Sequence, residues 1–133
     1  MFYKAKNGVS GGSKKEKGDY AEQLVADMLV RQGFIIIGRN IHSCYGEIDI
    51  IARKDQIIAC VEVKMRHNPS FDVSYLITPS KQRKIIATAK KFIVTHGLDM
   101  YTCRFDVVFV TIMNNAAPTC EYIPHAFSDD DML

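Results

Sequence analysis

From Asp19 to about Gln32 the apolar residues Ala21, Leu24, Val25, Met28 and Leu29 recur at the three- and four-residue spacing of one helix face, and Gly33 follows as the usual stop. The period then changes. "FIIIGRNI", "GEIDIIARK" and "QIIACVEVKMR" are three β-rich runs joined by short polar or glycine-containing links, the signature of an antiparallel meander, with "KDQ" its tightest turn. "HNPSFDVSYLI" has no regular pattern and reads as a loop. Thr78 and Pro79 then open a second helix, Thr as N-cap and Pro in the first turn, which runs to about His96 before Gly97. "CRFDVVFVTI" is a β-branched strand, "NNAAP" a turn, and "TCEYI" a short edge strand. Helix, three strands, helix, strand predicts an α/β layer sandwich. Its second helix crosses over to a strand parallel to the third.

Composition narrows the class. The chain has 133 residues, 47% hydrophobic and 24% charged, which fits one soluble domain with a core of its own. No apolar run approaches the roughly eighteen residues of a membrane span. The N-terminal stretch lacks the apolar block of a signal peptide, so the expected location is the cytoplasm, without membrane attachment. Cys44, Cys60, Cys103 and Cys120 are irregularly spaced with no C-x-x-C pair, and His42, His67, His96 and His125 are equally scattered. Free thiols are therefore expected, not a zinc or histidine site. The net charge of +2 says little about partners, but lysines crowd the first segment while "SDDDML" closes the chain. Residues 1–17, Gly, Ser and Lys rich, read as a flexible basic arm, 18–127 as the folded domain and 128–133 as an acidic tail.

Two charges interrupt the third strand, Glu62 and Lys64, separated only by Val63. Buried charge is costly unless paired or bound. By strict alternation Glu47, Asp49 and Ile51 share one face of the second strand, and Cys60, Glu62 and Lys64 one face of the third, with Ile48, Ile50, Val61 and Val63 opposite. Pairing the strands by their apolar faces brings Asp49 and Glu62 together beside Lys64. Two close carboxylates repel, and a divalent cation relieves the repulsion; a few hard oxygen donors with room for water suit Mg²⁺ or Mn²⁺ better than zinc.

Asp49, twelve intervening residues, then Glu62-x-Lys64 resembles the PD-(D/E)xK nucleases, with Ile48 where those proteins usually carry Pro. Over residues 18–127 the succession "RNIHSCYGEIDIIA", "VEVKMR", "KQRK", "CRFDVVFV" and "IPHAF" is similar to the YraN-like bacterial proteins, an uncharacterised family whose core resembles Holliday-junction resolvases. One departure is Ala21, where a Gly usually precedes the helix Glu. The resemblance implies a restriction-endonuclease-like sandwich with a central mixed sheet. It also implies a Mg²⁺- or Mn²⁺-dependent endonuclease acting on DNA, with branched or structured DNA among its substrates, the alternative being a nucleic-acid-binding module without turnover. Asp49 and Glu62 would be metal ligands, with the Val63 carbonyl a third, and Lys64 would orient or deprotonate the attacking water. Glu22 would add a carboxylate, although Asp19-x-x-Glu22 also has capping-box spacing. Gln82, facing the sheet with Ile86, Ala89 and Ile93, matches a helix residue that contacts substrate or water in related nucleases. Glu47 stands near the site, and Asp106 reads as a structural partner of Arg104.

The second helix contains no acid: Lys81, Arg83, Lys84, Lys90 and Lys91 are its charges. Beside carboxylates and a metal, Lys81, Arg83, Lys84 and Lys91 read as a phosphate track. Phe71 and Tyr75 are candidates for stacking on an unpaired base. Resolving a junction takes two sites and hence a homodimer, for which no segment announces an interface.

Overall fold

The computed structural model describes residues 2–4, 13–67 and 77–129. Its elements are β1 (Phe2–Lys4), α1 (Lys14–Arg31), β2 (Ile35–His42), β3 (Glu47–Lys54), β4 (Ile57–Arg66), α2 (Pro79–Thr95), β5 (Thr102–Thr111) and β6 (Thr119–Phe127). They build one six-stranded sheet in the order β1-β6-β5-β4-β3-β2. β2, β3 and β4 form the expected antiparallel meander, and β5 lies parallel to β4, as a crossover through α2 requires. Asp55 turns the β3–β4 hairpin at φ 53°, a left-handed conformation that Asp tolerates.

A helix covers each face of the sheet. Ala21, Leu24, Val25, Met28 and Leu29 of α1 pack on Ile50, Ala52, Ala59, Val61, Val108 and Val110. Ile85, Ile86, Ala89 and Phe92 of α2 pack on Ile51, Ile58, Cys60, Phe105, Val107 and Phe109. Alternating side chains feed the two cores, so the central strands, covered on both faces, read as continuous apolar runs. This mixed sheet between helices is the α/β sandwich expected. Among the described residues no helix is long and apolar enough to cross a membrane.

Two boundaries and one strand face differ from the sequence reading. α1 begins at Lys14, capped by the Ser13 hydroxyl, which accepts from the Glu16 amide at 3.1 Å, so part of the expected arm is helical. A Lys-rich turn carries no apolar periodicity, which is why it escaped notice. This also removes the capping-box reading of Asp19 and Glu22, both of which lie inside α1. β6 runs on to Phe127 and is not the sheet edge, because Phe2–Lys4 pairs outside it, Tyr3 opposite Cys120. The third difference concerns faces. Ile48 packs in the α2-side core together with Ile51, not opposite it with Ile50. The β3–β4 ladder ends at Ile50 and Val61, and strict alternation fails beyond it. The expected loop, with Phe71 and Tyr75, and most of the acidic tail lie outside the described residues.

Candidate active site

The ladder between β3 and β4 stops one residue short of Asp49, and side chains take over there. The Val63 amide donates to Asp49 Oδ2 at 2.8 Å, and the Asp49 amide approaches Glu62 Oε1 at 3.4 Å. Each carboxylate is thus strapped to the backbone of the other's strand. The pair lies where the β3–β4 ladder ends, next to the first turn of α2, whose Lys81 reaches Glu62. The Thr78 hydroxyl caps that turn by accepting from the Lys81 amide at 3.2 Å.

Asp49 is half-buried, and Glu62 is withdrawn from water to 3% exposure. Burial, reinforced by the charge of Asp49, pushes the Glu62 carboxyl up to about 7. Burial also raises Asp49, against the lowering effect of the Val63 amide and the lysines. Glu22 reaches the same place from α1. Burial raises its carboxyl, and so do the charge of Asp49 and a side-chain hydrogen bond with it. Asp49 therefore joins the α1 side of the site to the α2 side.

Two lysines face these acids. Burial, and then the neighbouring Lys81, lower the pKa of Lys64. Burial also works to lower Lys81, but its hydrogen bond with Lys64 and the charges of Glu62, Asp49 and Glu47 outweigh it, leaving its pKa raised. Lys64 is the amine pushed toward neutrality and Lys81 the one held charged. Lys81 Nζ lies 3.7 Å from Glu62 Oε2.

The sequence reading thus brought Asp49, Glu62, Lys64 and Glu22 to one locus and set Lys81 on a phosphate track beside it, not in contact with Glu62. The signal that could have found Lys81 is its position three residues after the Thr78 cap, in the turn beside the end of β4. Gln82 is half-buried and donates from Nε2 to the Ile77 carbonyl at 3.0 Å, holding the entry to α2. Glu47 is exposed and pairs with His42 at 3.3 Å, though its charge is felt by Asp49 and Lys81. Arg83, Lys84 and Lys91 are exposed along α2. Lys84 packs over Gly46, where an added Cβ would lie 3.1 Å from the Lys84 Cβ, and Thr88 is buried against Ser43 through a 2.8 Å hydrogen bond. Asp106 is fully buried away from this rim, bonded by the Arg104 guanidinium, the Tyr122 hydroxyl and the His125 amide, which is a structural role.

As to a metal, the donor chemistry fits: the buried Glu62 and half-buried Asp49 carboxylates, mutually repelling and with Glu22 beside them, offer hard oxygens to a small divalent cation. Among the described residues no three His, Cys, Asp or Glu side chains already form a cage, so water and backbone would have to complete the shell.

A family model described as "Uncharacterised protein family UPF0102" matches residues 21–110. A UPF0102 protein of Trichlorobacter lovleyi is 41% identical over 119 residues, covering 88% of this chain and 94% of that one. One from Geobacter sulfurreducens is 38% identical over 122 residues, 90% of this chain and 95% of its own. Another, from Clostridium perfringens, is 43% identical over 95 residues, 71% and 78% of the two chains. The matched segment contains every residue of the carboxylate and lysine cluster, and on that match the chain belongs to the uncharacterised protein family UPF0102, that of the YraN-like proteins.

Proposed function

We propose that the protein is a metal-dependent endonuclease that hydrolyses phosphodiester bonds of DNA, with branched or structured DNA as the substrate class. The observation that carries this reading is the Asp49–Glu62 pair: a half-buried and a buried carboxylate from adjacent strands, strapped together where the β3–β4 ladder ends, beside two lysines. Such a cluster lowers stability unless a cation or a reaction uses it. Asp49 and Glu62 would hold Mg²⁺ or Mn²⁺. Val63 would add its carbonyl, since a strand residue exchanges both backbone groups with one neighbour and the Val63 amide already faces Asp49. When bound, the cation supplies a polarised phosphoryl oxygen and a more acidic water. Lys64, pushed toward its neutral form, takes the proton of the attacking water, and Glu22 orients that water from the α1 side. Gln82 fixes the start of α2, and Arg83, Lys84 and Lys91 carry the phosphate backbone away from the site.

A second reading, a nucleic-acid-binding module without turnover, draws support from the Lys81–Glu62 pair, which neutralises the cluster internally. Incubation with duplex, single-stranded, flapped and four-way-junction DNA, with Mg²⁺, with Mn²⁺ and with chelator, separates the two. Metal-dependent cleavage that Asp49→Asn abolishes is expected. Salt-sensitive binding with no cleavage under any metal would select the module.

A further inference from the structure

We infer that Lys81 is the internal counter-ion of the carboxylate pair and competes with the divalent cation for it, so that metal binding releases Lys81 toward the substrate phosphate. The inference rests on the metal-site reading above and deepens it.

The charges at the rim carry the argument. Lys81 approaches Glu62 at 3.7 Å, contacts Lys64, and is attracted by Asp49 and Glu47 as well. With Lys64 it sets two amines among four acids, Asp49, Glu62, Glu22 and Glu47. The competition is for Glu62 Oε2, on which Lys81 bears at 3.7 Å: a doubly charged ion that takes this oxygen repels the ammonium beside it. Lys81 then gives up the contact. The Lys81 side chain is 41% exposed on the first turn of α2 and has a solvent path open to it. That turn continues into Arg83 and Lys84, both exposed, so the displaced ammonium joins cations already facing outward. A residue that only bound phosphate would leave metal affinity unchanged. One that only braced Glu62 would weaken metal binding when removed. Competition gives the opposite sign.

The test is Mn²⁺ binding by the full chain without nucleic acid, read by electron paramagnetic resonance of free Mn²⁺ and by calorimetry. Wild type is compared with Lys81→Met, Lys81→Arg and Lys90→Met. Lys90 is the control for net charge, since it lies on the same helix but pairs with Asp129 at 2.7 Å. Lys81→Met is expected to bind Mn²⁺ about tenfold to a thousandfold tighter, the range over which one charge at 4–6 Å shifts a neighbouring ionisation. Lys81→Arg, which keeps the charge, and Lys90→Met should stay near wild type. Circular dichroism of each variant checks that it is folded. Tight binding by Lys81→Met beside weak binding by wild type supports the competition. Equal or weaker binding by folded Lys81→Met, while wild type binds, overturns the competition and leaves the metal site standing. No binding by any of the four proteins overturns both.

Discussion

Glu62, 3% exposed and held up to about 7 by burial and by Asp49, ties folding to pH in a direction opposite to most paired carboxylates. In the unfolded chain its carboxyl ionises near 4.5, so between about 4.5 and 7 the folded protein holds a proton that the unfolded chain has released. The contribution is fully present below 4.5 and is lost as pH rises through 7. Urea denaturation of the metal-free protein should therefore show Glu62→Gln gaining on wild type across that window, by at most about 3 kcal/mol. A difference that is flat with pH would mean that the carboxylate is solvated. Asp106 gives the contrasting case: it is fully buried, but the Arg104 guanidinium forks onto it and Tyr122 and the His125 amide complete its shell. Arg104→Met strands that charge and should cost about 3 kcal/mol or more in the same assay, without altering Mn²⁺ binding.

α2 combines two roles that can be separated along its length. Its first turn belongs to the site, and Thr78→Ala, which removes the acceptor for the Lys81 amide, should cost about 1 kcal/mol by thermal melt and loosen Lys81 with it. Farther along, Arg83, Lys84 and Lys91 are exposed and engage none of the carboxylates of the site. If they track phosphates, each substitution to Met should reduce the log-log salt slope of duplex DNA binding by about 0.9. An unchanged slope would make them an ordinary solvated face. The helix itself was legible because Thr78-Pro79 marks its start and Ile86 and Ala89 recur at helical spacing; its buried stripe also takes in Ile85 and Phe92. The start of α1 was not, since Lys14 to Lys17 put no apolar side chain on the core and only the Ser13 cap announces them. Strand faces were legible wherever the ladder holds its period of two. Ile48 escaped because Asp49 ends the ladder by giving a carboxylate, not a carbonyl, to the Val63 amide. A rule of alternation carries no information about where a functional side chain replaces the backbone.

Across the whole molecule, two apolar cores stabilise a sheet whose rim carries a cluster that works against folding, and this conflict offers a test independent of any substrate. The sandwich and the adjacency of β3 and β4 follow from periodicity, a local property of the chain, whereas Asp49 and Glu62 are joined by side-chain contacts beyond the end of their ladder. The entry of Lys81 depends on where the crossover lands α2, which only the assembled fold determines. Without metal, Asp49 and Glu62 repel at neutral pH. Asp49→Asn removes that repulsion and keeps an oxygen to accept the Val63 amide, so the metal-free variant should melt at or above the wild-type Tm. Mg²⁺ or Mn²⁺ bound only to the native state should raise the wild-type Tm by mass action, equivalent to about 2.7 kcal/mol at a hundred times Kd. Asn, an uncharged and poorer ligand, should abolish most of that gain. If Asp49 is only an ion-pair partner of the lysines, the same substitution destabilises the protein, by about 3 to 5 kcal/mol for a fully buried pair and less here because Lys64 and Lys81 are partly exposed. Thermal melts of both proteins in chelator and across a metal titration decide the matter. A destabilised Asp49→Asn beside a wild type whose Tm ignores both metals would sink the metal site, and with it the reading of this rim as the centre of a nuclease.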